Sequence, residues 1–215
     1  MVTQNSWNSE NPAQVAKGGT GAATLTGVLT GNGTAAVTAN AVTQFTVLTG
    51  GASNAVTDST ASISSAGEMT NPSQPAFLGY LATSALNKTG TGTVYTIGTD
   101  ALTEVYDQGS DFTTAGVFTA PVTGRYLFCH NAHVTGCTAA SAIIITIITS
   151  NRSYVYNMGR GASGLDLSAC LSCVADMDAT DTMTFTVQAF GEAGDTDDIA
   201  GGAFATTYMS GCLLA

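Results

Sequence analysis

The sequence predicts an all-β protein: a β-sandwich or jelly roll preceded by a slender segment of β-repeats. Three observations predict it. After residue 76, about ten segments of strand length follow one another, separated by Gly-rich turns and showing no helical period. The composition agrees: 25 glycines and abundant Thr, Ser and Ala, with only 9% charged residues, suit strands and turns better than helices. Before residue 76 the chain repeats itself. Val28-Leu29-Thr30-Gly31 returns as Val47-Leu48-Thr49-Gly50, and Ala36-Val37-Thr38 returns as Ala55-Val56-Thr57.

Taken in order, residues 1–20 are polar and irregular and hold the only tryptophan, Trp7. An aromatic residue in a polar tail serves as an anchor in a partner's pocket or packs on its own trunk, and both readings stand. Residues 21–75 read as hairpin units, strand then Gly/Asn turn then strand, with few large apolar side chains. Such a hairpin is not stable alone, so stacked repeats or copies from other chains must bury it; a disordered Gly/Thr/Ala linker is the alternative, against which the spaced Val and Leu pairs speak. Asn71-Pro72-Ser73-Gln74-Pro75 marks a boundary. The strands expected beyond it are 77–83, 93–97, 102–106, 116–120, 125–134, 142–150, 154–158, 165–175, 182–189 and 205–213. In Gly116-Val117-Phe118-Thr119-Ala120-Pro121-Val122-Thr123-Gly124-Arg125-Tyr126-Leu127-Phe128, Pro121 belongs at a corner and Gly124 offers positive φ at a turn. Tyr126 and Phe128 then share one face of the next strand.

Charge excludes two function classes. Fifteen acidic residues against five basic ones give a net charge of −10. Nucleic-acid binding needs phosphate-neutralising Lys and Arg, and an anionic membrane surface needs the same. The N-terminus, Met1 to Glu10, lacks the pattern of a secretory signal, and no window reaches the length of a membrane span. Of the five cysteines, Cys170 and Cys173 form a C-x-x-C, but three apart on a strand they face opposite ways. Reduced thiols in a cytoplasmic fold are therefore expected rather than a zinc site.

The apolar strand Ala142 to Ile148 does not alternate. Ile143, Ile145 and Ile147 face one way, and Ile144 and Ile148 face the other. Leaving the latter two in water would forgo roughly 3–6 kcal/mol per chain. A second subunit is expected to cover them, or else a loop or the repeat segment of the same chain.

The stretch from Gly116 to Phe128 resembles the signature of the complement one-q globular head, within the tumour-necrosis-factor-like jelly rolls. Ala179-Thr180-Asp181-Thr182 resembles that family's Gly-Asp turn, with Thr180 in place of Gly. Tyr208-Met209-Ser210-Gly211-Cys212-Leu213 resembles its closing aromatic-x-x-Gly-x-Leu strand. The resemblance covers about residues 76–215 and implies a homotrimeric jelly-roll knob, with Ile143, Ile144, Ile145, Ile148, Tyr126, Phe128, Phe185 and Tyr208 in its core or trimer packing. Separately, Lys17-Gly18-Gly19-Thr20-Gly21 and the tracts from Leu25 to Gly33 and from Ala36 to Ala39 resemble bacteriophage tail fibres and other virion fibres. Together the two imply a virion fibre made in the host cytoplasm and displayed on the virion surface. Its N-terminal segment with Trp7 would attach to a portal, tail or capsid protein, and its knob would bind a host-surface glycan or protein. A decoration or assembly fibre without a receptor and a polysaccharide-cleaving spike are the alternatives.

Chemistry is sparse. Gly159, Gly161 and Gly164 match a dinucleotide pattern by letter, but a strand follows them instead of the helix that pattern needs. No nucleophile elbow accompanies the two histidines, His130 and His133, so no enzyme activity is expected. No cofactor is required. Asp176, Asp178 and Asp181 are the weak candidates for calcium, and the resembled family holds calcium near its apex in some members. The residues expected to face a receptor are Arg160, Ser163, Asp195, Asp197 and Asp198, in loops 135–141, 159–164 and 191–202.

Overall fold

The computed structural model describes residues 24–31, 35, 37–52, 56–159 and 166–214. The chain divides into two compact units, Met1–Ser73 and Gln74–Ala215. Trp7 and the tract at Lys17 lie outside the described residues.

In the first unit, β1 (Val28–Thr30) pairs antiparallel with β2 (Thr38–Asn40), and β3 (Thr46–Gly50) pairs with β4 (Val56–Ile63). These are the two hairpins that the 19-residue repeat predicts. A short β5 (Met69–Thr70) adds to β4. Leu29 and Leu48 remain exposed, as expected of hairpins with little to bury them. Asp58 accepts from the Thr43 amide and the Thr46 hydroxyl, holding the lead into β3 against β4.

The second unit is an all-β, antiparallel jelly-roll sandwich. Its strands are β6 (Ala76–Tyr80), β7 (Ala85–Thr89), β8 (Tyr95–Thr96), β9 (Thr103–Gln108), β10 (Phe118–Thr119), β11 (Gly124–Thr135), β12 (Ala142–Thr149), β13 (Ser153–Gly159), β14 (Leu167–Met177), β15 (Thr182–Phe190), β16 (Asp197–Ile199) and β17 (Tyr208–Leu213). The larger sheet is built on β11. β14 runs along one side of it, from Gly124↔Met177 to Val134↔Leu167. On the other side β17 covers Tyr126 to Asn131 and β16 covers Val134 and Thr135. β6 and β9 extend the sheet beyond β17, and β7 extends it beyond β16. The smaller sheet has the order β10-β15-β12-β13, with β8 also on β15.

Period-two alternation fixes what lies between the sheets. Tyr126, Phe128, His130, Ala132 and Val134 of β11 are buried and meet Ile143, Ile145 and Ile147 of β12 and Met183, Phe185, Val187 and Ala189 of β15. His130 stacks on Phe185 across the sandwich, with ring centroids 4.6 Å apart. An aromatic cluster closes the core towards the β6 side: Phe77 stacks on Phe112 at 4.5 Å and on Phe118 at 5.0 Å. Gly211 is required beneath it, because a Cβ there would stand 2.5 Å from the Phe128 ring and 2.6 Å from that of Phe77.

Five of the eight residues expected in core or trimer packing are thus core of one chain: Tyr126, Phe128, Ile143, Ile145 and Phe185. Ile144, Ile148 and Tyr208 face outward. Two expectations are corrected. Gly124 is not at positive φ; it opens β11, and the positive φ of that stretch belongs to Gly116 (74°), whose backbone lies against Ile97 and Gly98. Strands β7 and β16 were not expected, because Ala85-Leu86-Asn87-Lys88-Thr89 and Asp197-Asp198-Ile199 lack β-branched alternation.

Candidate functional site

Strand direction sets two ends on the sandwich. Ala76 pairs with Cys212, and Leu213 pairs with Tyr126, so the segment at Gln74 comes in at the base. The Gln74 side-chain amide donates to the Leu213 carbonyl at 2.6 Å, and the Leu213 amide donates to that of Pro75. At the opposite, distal end lie loops 81–84, 136–141, 190–196 and 200–207. The segment 89–93 joins them through bonds to the 190–196 loop.

The distal loops are tied by carboxylates. Glu192 accepts from the Ala139 amide and from the Thr138 hydroxyl at 2.8 Å. Asp195 accepts from the Thr91 amide at 2.9 Å and from the hydroxyls of Thr91 and Thr93. Asp198 accepts from the Asn87 amide at 2.7 Å. The Ala139 amide bond holds the Glu192 carboxyl below its ordinary range, and the Thr93 hydroxyl does the same for Asp195. These acids face neighbouring loops of their own chain. Asp197, expected at the receptor-facing surface, is instead fully buried: it alternates with Asp198 on β16 and points to the sandwich interior. Neither of its carboxyl oxygens meets a hydrogen-bond partner. Burial pushes the carboxyl up to about 6, and the Glu192 charge adds to the shift. Arg160 and Ser163 lie outside the described residues.

Loop 200–207 presents Phe204 at 94% exposure. Its frame is rigid: the Gly202 amide donates to the Leu81 carbonyl, the Gly201 amide to the Ser84 hydroxyl, and Asn131 to the Thr206 carbonyl. No signal in the sequence marks Phe204, since one Phe between Ala and Ala reads as ordinary core.

The calcium candidates lie at the base, not the distal end. Asp176, Asp178 and their neighbours Thr123, Gly124, Arg125, Asn151 and Met177 line a shallow, open pocket. Asp176 is paired with Arg152 at 3.1 Å, and Asp181 accepts from Asn151 at 2.8 Å and from the Asp178 amide at 2.9 Å. Among the described residues, no three His, Cys, Asp or Glu side chains are grouped to hold a metal ion.

The outer faces of the two sheets differ. Around Ile144 and Ile148 the smaller sheet carries Thr146, Thr184, Gln188, Asn157 and the exposed Val155, a mixed surface. The outer face of the larger sheet carries Leu127 opposite Val174 and Cys212, Leu78 opposite Tyr106, and Tyr208 opposite Tyr80. Cys129 sits amid these with Cys170 and Cys212 on its diagonals. Burial raises the Cys129 thiol, and the two neighbouring thiols add to this. Cys170 is exposed while Cys173 packs against the core, as the strand reading requires.

Neither histidine is set up for catalysis. His130 Nδ1 donates to the Tyr208 carbonyl at 3.2 Å, and burial lowers its pKa to about 4, so it is neutral near pH 7. His133 stands on the outer face of β11, 4.0 Å from Asp166.

No family model matches the sequence, and no curated protein matches it. Solved structures do. The globular domain of zebrafish complement 1qA protein is 16% identical, with a TM-score of 0.46 over 66% of this chain and 98% of that one. The PRD1 vertex protein P5 is 12% identical, with a TM-score of 0.49 over 66% and 97%. Murine APRIL, crystallised at pH 8.5, is 12% identical, with a TM-score of 0.44 over 66% and 99%. These are proteins to which the chain is similar, and at such identities no activity passes from them to it.

Proposed function

We propose that the chain is a non-catalytic virion fibre protein. Residues before 74 form its attachment segment and repeat stalk, and residues 74–215 form a homotrimeric knob that binds a host-surface glycan or protein. One observation carries this reading: the sandwich is polarised. The chain comes in at the base, and at the other end loops from several strands converge, are tied together and present Phe204 to solvent. An exposed aromatic on a rigid frame costs little entropy to bind, as adhesive loops require. The fibre-like tracts around residues 17–39 supply the virion part of the reading.

The trimer is proposed to form through the outer face of the larger sheet. That face carries more aromatic and aliphatic side chains than the one with Ile144, Val155 and Ile148, and monomers rarely leave so many in water. A three-fold array would add avidity to weak single contacts.

The test is adsorption. Purified protein added to host cells is expected to bind and to compete with infection, and Phe204→Ser is expected to weaken that competition at least tenfold while leaving the melting temperature unchanged. Purified protein that neither adsorbs nor competes would favour the decoration fibre instead. That second reading is favoured by the way Glu192, Asp195 and Asp198 spend their hydrogen bonds inside the chain.

A further inference from the structure

The segment 190–199 reaches across the distal end and touches both flanking loops. Its carboxylates are its grips: Glu192 on residues 138 and 139, Asp195 on Thr91 and Thr93, and Asp198 on Asn87. The strand within it is held by short ladders. β16 pairs with β7 only at Asp197↔Thr89 and Ile199↔Ala85, with a register shift between them, and with β11 only at Val134 and Thr135. At the centre of this weakly laddered segment sits Asp197, fully buried, with both carboxyl oxygens unpartnered.

A buried carboxyl without donors is tolerable when protonated and costly when ionised. None of the charged neighbours of Asp197 is a cation. On its own segment the titratable neighbours are Glu192, Asp195 and Asp198, all of the same sign. From β7, Thr89 opposes it but gives its hydroxyl to the Thr93 carbonyl at 2.7 Å, and Lys88 is held at Asp100, 3.1 Å away. From β11, His130 is neutral near pH 7, and His133 lies on the outer face beside Asp166. The Cys137 thiol, in the turn that follows, favours the ionised form, but it is a weak donor and is directed to the Val134 carbonyl at 3.7 Å.

We propose that segment 190–199 is a pH-operated clasp: with Asp197 protonated it locks the distal loops together, and with Asp197 ionised it releases them. The grips and the latch work in different ranges. Glu192 and Asp195 are held below the usual carboxylate range, so they stay charged as the medium becomes mildly acidic. Asp197, pushed up to about 6, is already neutral there. Mild acid therefore combines charged grips with a neutral latch, and near-neutral medium ionises the latch without weakening the grips.

Hydrogen exchange on the full chain, corrected for intrinsic rates, tests this. A carboxyl titrating at about 6 when closed and near 3.8 when open makes local opening rise about tenfold between about pH 5 and about pH 7.5. That rise is expected at amides 87–93, 136–141 and 190–199, with the β11–β14 ladder unchanged, and Asp197→Asn is expected to abolish it. An equal rise in Asp197→Asn, or no rise in the parent chain, overturns the proposal. Should Asp197→Asn fail to fold, the carboxyl carbon shift of Asp197 in the parent chain decides: a midpoint near 6 supports the clasp, and one at or below about 4 overturns it.

Discussion

Thr180 shows how a single residue records the fold. It sits at φ 78°, a conformation a β-branched side chain resists, between an Asp178–Asp181 turn and the Ala120 carbonyl that its amide reaches at 2.7 Å. The position was recognisable in the sequence as one where Gly would be usual. Thr180→Gly is expected to raise stability by about 1 kcal/mol, the relief of strain exceeding the added freedom of the unfolded chain; urea denaturation reads it. Other residues were less legible. Gly124 and Gly116 stand in one stretch, and composition alone could not say which would carry the positive φ. Asp197 looked like another acid of a surface loop. Its burial follows from pairing with a strand 108 positions earlier in the sequence, Asp197↔Thr89, and no local pattern announces such a pairing.

At the scale of elements, long alternating strands were readable and short ones were not. β11, β14 and β15 follow period-two alternation, with Leu171 and Cys173 half-buried and Thr186 buried as the departures from it. β7 and β16 have three to five residues and no alternation of branched side chains; β7 pairs with β16, which lies between it and β11. The Ile-rich β12 was readable as two-faced, but the sequence could not weigh its outer face against that of a sheet made of seven distant segments. The two faces now make different predictions. Leu127→Arg, on the larger sheet, is expected to convert the assembly to monomer in analytical ultracentrifugation. Ile148→Arg, on the smaller sheet between Thr184 and Ser153, is expected to leave the sedimentation coefficient unchanged. The opposite pair of results would return the interface to the face of Ile144 and Ile148.

For the whole molecule, two buried titratable groups tilt stability in opposite directions. The folded value of Asp197 lies above its unfolded one, so its contribution is full below about pH 4 and is lost as pH rises through about 6. The folded value of His130 lies below its unfolded one, so its contribution is full above about 6.5 and is lost as pH falls towards 4. The parent chain is therefore expected to melt at nearly constant temperature between about pH 4.5 and about pH 6.5. Asp197→Asn should lose stability on acidification across that range, and His130→Phe should gain it; calorimetry at fixed ionic strength distinguishes them. The arrangement at the base has a mechanical meaning. β6 leads the chain in from Gln74 and lies between β17 and β9, its direction antiparallel to both. A pull on Gln74 against a grip on the distal loops runs along β6, so the five rungs from Ala76↔Cys212 to Tyr80↔Tyr208 are loaded in shear and must yield together instead of peeling one at a time. The strand that tethers the sandwich is thus also the one best placed to bear a tensile load.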